Sequence, residues 1–299
     1  MATTLRVGSR GSDLALWQTR WVVDRLCERR PAVSIEEIII QTHGDAAVEQ
    51  RFDADWPVGG FVGAIERELV AGRIDLAVHS YKDLPTAATP GLVISAVPER
   101  EVVHDVLVTR EAVDLNHLPD GFRLGTSSPR RSAQFRRMAD VTIMPIRGNV
   151  ATRLAKIERE KLDGVVLAGA GLKRLDLNPP HVIALPVDRF VPSPAQGALA
   201  VQAREGSGAD KMLRDLDDRD ARRAVDAERS FLQTIGAGCH VPVGAFAHIK
   251  GEVITLHGQL FSDDGNRCVE GRESGTDPTA VGQRLAKRLL ADLNRPLTL

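Results

Sequence analysis

The chain has 299 residues, 43% of them hydrophobic and 26% charged, with a formal net charge of -1. That balance suits an ordinary globular protein with about two or three cored domains, and it excludes nucleic-acid binding through overall positive charge. No run approaches the roughly 18 apolar residues of a membrane span, and the first residues lack a signal-peptide core. The cysteines (Cys27, Cys239, Cys268) are too few and scattered to read as a disulfide framework or a zinc site. The expectation is a cytosolic chain with reduced thiols and no metal.

Leu5 to Gly8 reads as a short strand, followed by a Ser9-Arg10-Gly11-Ser12 turn. Asp13 to Arg29 carries apolar residues at helical spacing (Leu14, Leu16, Trp17, Trp21, Val22, Leu26) and stops before Pro31. Ser34 to Gln41 reads as a strand and Phe61 to Ala71 as a helix. Ile74 to His79 is a nearly continuous apolar run, of the kind buried in a parallel sheet. Past the turn-rich Pro98-Glu99-Arg100-Glu101 a second block alternates strand, helix, strand, helix, strand. Its elements run Phe122 to Gly125, Pro129 to Ala139, Thr142 to Ile146, Val150 to Glu160 and Gly164 to Ala168. Such alternation argues α/β architecture. Leu199 to Gln202 is a short strand that needs a sheet, and the first block offers one.

From Asp218 the character changes. A helix to Thr234, strands near Val243 to His248, Val253 to Leu260 and Arg267 to Arg272, and a helix from Pro278 to Leu293 suggest a small α+β domain. The expected division is three domains: 1–98 with 195–215, then 99–194, then 216–299.

The arginines carry the chemistry. Gly125-Thr126-Ser127-Ser128-Pro129-Arg130-Arg131 runs from strand end into helix start, with Ser128 placed to cap and Pro129 suited to the first turn. Such a junction offers backbone N–H groups and a helix dipole to an anion, and arginine adds forks that match carboxylates. Arg147-Gly148-Asn149-Val150-Ala151-Thr152-Arg153 repeats the arrangement at the next junction, and Ser9 to Ser12 does so in the first block. Three such loops at strand C-termini imply a polyanionic ligand in one cleft. Asp83 falls just past the strand that ends near His79, placed to stabilise developing positive charge.

Cys239 stands in Gly236-Ala237-Gly238-Cys239-His240, a glycine-containing turn that leaves a thiol approachable. Most free cysteines are small buried hydrophobes, and Cys27 and Cys268 read as such.

Six motifs in order now carry a resemblance. They are His79-Ser80-x-Lys82-Asp83, Gly125-Thr126-Ser127-Ser128-x-Arg130-Arg131, Arg147-Gly148-Asn149-Val150-x-Thr152-Arg153-Leu154, Ala168-x-Ala170-Gly171-Leu172-Lys173-Arg174-Leu175, Gln196-Gly197-Ala198, and Glu228-Arg229-x-Phe231-Leu232 followed by Gly238-Cys239-x-x-Pro242-x-Gly244-Ala245. From about Leu5 to the C-terminus the chain resembles the porphobilinogen deaminase, or hydroxymethylbilane synthase, family.

The resemblance implies two α/β domains like the lobes of periplasmic binding proteins, plus a smaller α+β domain that carries Cys239. It implies a cytoplasmic, monomeric transferase of heme and porphyrin biosynthesis, with neither nucleic acid nor membrane as partner. Four porphobilinogen molecules would be joined with loss of ammonia onto a dipyrromethane primer, held by a thioether at Cys239. Arg10, Ser12, Arg130, Arg131, Arg147, Arg153 and Arg174 match positions that handle pyrrole carboxylates. Ser80, Lys82, Thr126, Ser127, Ser128 and Gly148 fall on the primer-binding side, and Gln196 on the substrate side. Asp83 matches the aspartate that binds pyrrole N–H groups and stabilises a cationic azafulvene.

The chain also departs from the family. Val58-Gly59-Gly60-Phe61-Val62-Gly63-Ala64 has no lysine where the family's mobile loop has them, and Arg51 is a candidate to compensate. Ala195 stands where glycine is frequent and Gln202 where glutamate is common. Two rivals stay open at this point: a non-catalytic two-lobed anion receptor, and a paralogue with weak elongation.

Overall fold

The computed structural model describes residues 3–40, 62–236 and 242–294. Cys239, His43, Arg51 and residues 58–61 lie outside them. Two compact units emerge: residues 1–101 with 197–222, and residues 102–196 with 223–299.

The first unit contains β1 (Thr3–Ser9), α1 (Asp13–Arg29), β2 (Val33–Ile39), α2 (Val62–Val70), β3 (Leu76–Ser80) and β4 (Leu92–Ala96). The later chain adds β10 (Leu199–Arg204) and α6 (Gly208–Leu213). The strand order is β2-β1-β3-β10-β4. β1 runs parallel to β2 and β3, whereas β10 runs antiparallel to β3 and β4. The strand expected at Leu199 does join this sheet, with Leu199 opposite Ser80.

Alternation along β3 explains its continuous apolar sequence. Leu76 and Val78 pack with Val22 and Leu26 of α1, while Ala77 packs with Ile65 and Leu69 of α2. Both faces of the strand are covered, so neither tolerates a charge.

The second unit holds β5 (Asp105–Thr109), β6 (Phe122–Gly125), α3 (Pro129–Arg136), β7 (Val141–Met144), α4 (Val150–Arg159), β8 (Gly164–Ala168), α5 (Gly169–Arg174) and β9 (Val182–Ala184). Their order is β7-β6-β8-β5-β9. β6, β7 and β8 are parallel, and β5 runs against β8 and β9.

The same unit includes an antiparallel sheet of β11 (Val243–Lys250), β12 (Val253–Phe261) and β13 (Cys268–Gly275), with α7 (Arg219–Ile235) and α8 (Pro278–Asn294). Its core joins Phe231, Leu256, Leu285 and Leu289, all fully buried. Truncating Phe231 to Ala would cost about 3–5 kcal/mol through the cavity it leaves.

The α/β class with a smaller C-terminal α+β part is borne out. Differences from the sequence reading are local. α3 ends at Arg136 rather than Ala139, closing in a turn where the Arg137 N–H donates to Ala133 and Phe135. β4, β5 and β9 have five, five and three residues, too short for periodicity to declare. Among the described residues, no helix is long and apolar enough to cross a membrane, and no group of three potential metal ligands occurs.

Candidate functional site: the loops at the strand ends

In the first unit the turn after β1 leads straight into α1. Ser12 caps that helix, its hydroxyl accepting from the Ala15 N–H, and Arg10 beside it is half-buried. The turn after β3 is a short 3-10 segment, Tyr81–Asp83, pinned by the Tyr81 N–H donating to Ala198 O at 3.0 Å. Ser80 accepts from Gln18 Nε2 at 2.8 Å. Lys82 is half-buried and Asp83 is exposed, so the carboxylate projects where a ligand can reach it.

Beneath this turn a buried polar chain crosses the unit. His79 Nε2–H donates to Gln202 Oε1 at 3.2 Å, Gln202 Nε2 donates to Glu66 Oε1 at 2.8 Å, and Thr89 Oγ1 donates to Glu66 Oε2 at 2.7 Å. Burial pushes His79 down to about 4, so its imidazole is neutral and carries its hydrogen on the nitrogen facing Gln202.

In the second unit two loops, after β6 and β7, follow parallel strands at one edge, and β8 runs directly into α5. Ser128 caps α3 by accepting from the Arg131 N–H, with Pro129 in the first turn as expected. Asn149 caps α4 by accepting from the Thr152 N–H at 2.8 Å. Ser127 Oγ donates to Ile146 O at 2.7 Å and ties the first loop to the second. Thr126 is buried; its hydroxyl accepts from the Ser128 N–H.

Gly148 has φ +114°, and a Cβ there would sit 2.6 Å from a Thr152 carbon, so only glycine fits the turn. Arg147 is exposed, Arg153 Nε donates to Gly148 O at 2.8 Å, and Arg174 at the end of α5 is buried.

Arg130 and Arg131 differ from these. Both are buried, at 5% and 7% exposure, and both grip one carboxylate, that of Asp105, which has no exposed surface. Arg130 Nη2 donates to one Asp105 oxygen at 2.8 Å and Arg131 Nη2 to the other at 2.6 Å. Gln196 Nε2 adds a third bond at 2.9 Å. Burial opposes ionisation of Asp105, but the two guanidinium charges outweigh it and hold the carboxyl well below the usual range. The two forks expected to face a ligand thus already hold a carboxylate from within the chain.

Sequence reasoning missed Asp105. A signal was present: an aspartate opens the apolar run Val106-Leu107-Val108, and a charge heading a buried strand must find partners. The reading of Cys268 as unreactive agrees with its surroundings, since burial pushes its thiol up to about 11.

Comparisons with known proteins agree along the chain. Residues 5–212 match the family profile described as porphobilinogen deaminase, dipyromethane cofactor binding domain, and residues 222–291 match porphobilinogen deaminase, C-terminal domain. The chain is 43% identical to the porphobilinogen deaminase of Roseiflexus sp. (strain RS-1), covering 99% of both chains. It is 45% identical to that of Geobacillus kaustophilus (strain HTA426), covering 94% of this chain and 92% of the relative. Among solved structures, the L-cystine solute receptor of Neisseria gonorrhoeae in its unliganded open conformation is similar at 16% identity with a TM-score of 0.41, over 79% of this chain and 89% of that one. That last likeness is too slight to carry an argument.

Proposed function

The chain belongs to the porphobilinogen deaminase family, and on that premise we propose that it is a hydroxymethylbilane synthase of tetrapyrrole biosynthesis. It is a transferase that joins four porphobilinogen molecules head to tail, loses one ammonia at each joining, and releases the linear product. The observation that carries this reading is the match of both family profiles to one chain, across residues 5–212 and 222–291.

A dipyrromethane primer on Cys239 supplies the nucleophilic pyrrole carbon from which the product grows. The described residues fit such a group, because it bears carboxylates and the loop edge of the second unit is rich in donors. Helix N-termini, the Ser128 hydroxyl and Arg147 stand there. Arg131 Nε is a buried N–H with no acceptor, a group that costs free energy until a carboxylate meets it.

Thr126 to Ser128, Arg130, Arg131, Arg147 and Gly148 hold the primer's carboxylates, and Ser80, Lys82 and Asp83 are also assigned to it. Arg10, Ser12, Arg147, Arg153 and Arg174 receive substrate carboxylates, whereas Gln196, expected on the substrate side, already gives its amide N–H groups to Asp105 and Val103 O. Asp83 is the catalytic residue. Its carboxylate accepts pyrrole N–H donors and stabilises the positive charge that develops as ammonia leaves.

The protein acts as a cytoplasmic monomer on porphobilinogen and the growing oligopyrrole, without nucleic acid or membrane. Its three domains are 1–98 with 195–215, 99–194 and 216–299. Three separate sheets, each with its own apolar core, support that division.

The test is stoichiometric. Purified protein given porphobilinogen is expected to release one ammonia per substrate consumed and to form hydroxymethylbilane. Consumption without matching ammonia, or reversible binding with no product, would sink the reading.

A further inference from the structure

We propose that Asp105 is a positioning residue for primer capture: its buried carboxylate sets the forks of Arg130 and Arg131 so that the Arg131 Nε–H is left to receive a carboxylate of the primer. The inference rests on the function proposed above and adds to it a residue that touches neither primer nor substrate.

The fold puts Asp105 at the right edge. β5 runs against β8, with Asp105 opposite Ala168, so the start of β5 lies beside the end of β8, where the loops of the parallel strands emerge. The Gly169 N–H donating to His104 O at 3.0 Å fixes this junction.

Two arginines adjacent in sequence, both buried, repel each other unless an anion lies between them. Asp105 is that anion, and it leaves the cluster with one net positive charge, two guanidiniums less one carboxylate. The remaining donors are mostly assigned. Arg130 Nη1 donates to Gln134 Oε1 and to Val191 O, each at 3.0 Å, and Arg131 Nη1 donates to Val166 O at 2.9 Å. Gln196 Nε2 bridges Asp105 to Val103 O at 2.8 Å. Arg131 Nε is buried and has no acceptor. A buried N–H with no acceptor and one uncompensated charge are what a single carboxylate would complete. Arg130 is held more completely than Arg131, so the two arginines divide the work. Arg130 chiefly braces the cluster, and Arg131 carries the buried N–H left for the ligand.

The test uses the full chain. Wild type, Asp105→Asn, which keeps shape and loses charge, and Asp105→Glu, which keeps charge and moves it, are purified as native monodisperse protein. Each is produced in cells that make no porphobilinogen, so that it is purified without primer; it is then incubated with porphobilinogen, and the fraction of native chains that gain the primer is followed by intact mass. Both variants are expected to load roughly ten- to a hundredfold more slowly than wild type. A merely structural Asp105 would lower the yield or unfolding midpoint but leave native chains loading at the wild-type rate, and that result overturns the proposal. If Asp105→Asn gives no native protein, Asp105→Glu decides, with slowed loading for the proposal and the wild-type rate against it. Wild type that never acquires primer overturns the proposed function along with this inference, whereas loading of all three at one rate overturns this inference alone.

Discussion

In the first unit the strand that runs against the parallel trio, β10, is supplied by residues 199–204, far along the chain; in the second its counterpart, β5, precedes the trio. The two orders, β2-β1-β3-β10-β4 and β7-β6-β8-β5-β9, are otherwise the same. In both, the antiparallel strand starts at the edge where the loops emerge. In the first unit the chain just before that strand offers a backbone carbonyl, Ala198 O, which pins the turn bearing the exposed Asp83. In the second the strand offers a carboxylate, Asp105, sealed among arginines. One position in a repeated architecture thus serves an exposed acid in one case and a buried counter-ion in the other. Burial decides the role, because an exposed carboxylate meets a ligand and a buried one organises its neighbours.

Asp83→Ala should separate the exposed acid from the buried one most strongly. Turnover is expected to fall by about 10²–10³, while the urea midpoint stays within about 0.5 kcal/mol of wild type, because the side chain is exposed. Near-normal turnover would remove the exposed acid from the chemistry.

A second effect comes from the fully buried imidazole of the first unit. At pH 7 His79 is neutral whether the chain is folded or unfolded. Between 6.5 and about 4 the unfolded chain binds a proton that the buried imidazole refuses. Stability therefore drops as pH falls through that window, by up to about 3 kcal/mol at this site. Urea unfolding at pH 7 and pH 5 should show His79→Gln losing less stability on acidification than wild type. Equal losses would mean that the histidine is not buried as described. Asp105, held ionised in the folded chain, adds its own loss mainly as pH falls below about 3.8, the ordinary carboxylate value.

The smallest effect concerns the loops themselves. Ser128→Ala should cost about 1 kcal/mol through its lost cap, and Ser12→Ala a similar amount in the other unit. A cost near zero for Ser128 alone would indicate that α3 is held by its arginines and not by its cap.

Much of this was legible in the sequence. Helix α1 was read to the residue because its apolar spacing is long and regular, and β6 because Gly125 and Pro129 punctuate its end. Gly125 also has a packing reason, since a Cβ there would lie 2.8 Å from Leu162 and Val165. The loops were found because glycine, serine and arginine at strand–helix junctions have a local physical meaning. Asp105 was not found, because its meaning comes from partners 25, 26 and 91 residues away. The chain Thr89–Glu66–Gln202–His79 was invisible for the same reason. Long-range polar pairing leaves no periodic mark, so the arginines could be seen but not the acid that orients them.

On the function proposed above, Cys239 anchors a permanent primer from which four pyrroles are built. Intact-mass measurement of freshly expressed full-length protein, with peptide mapping, tests it most directly. The prediction is a dipyrromethane adduct on Cys239 that survives turnover and is missing from Cys239→Ser. An unmodified Cys239 in protein that still makes hydroxymethylbilane would contradict it.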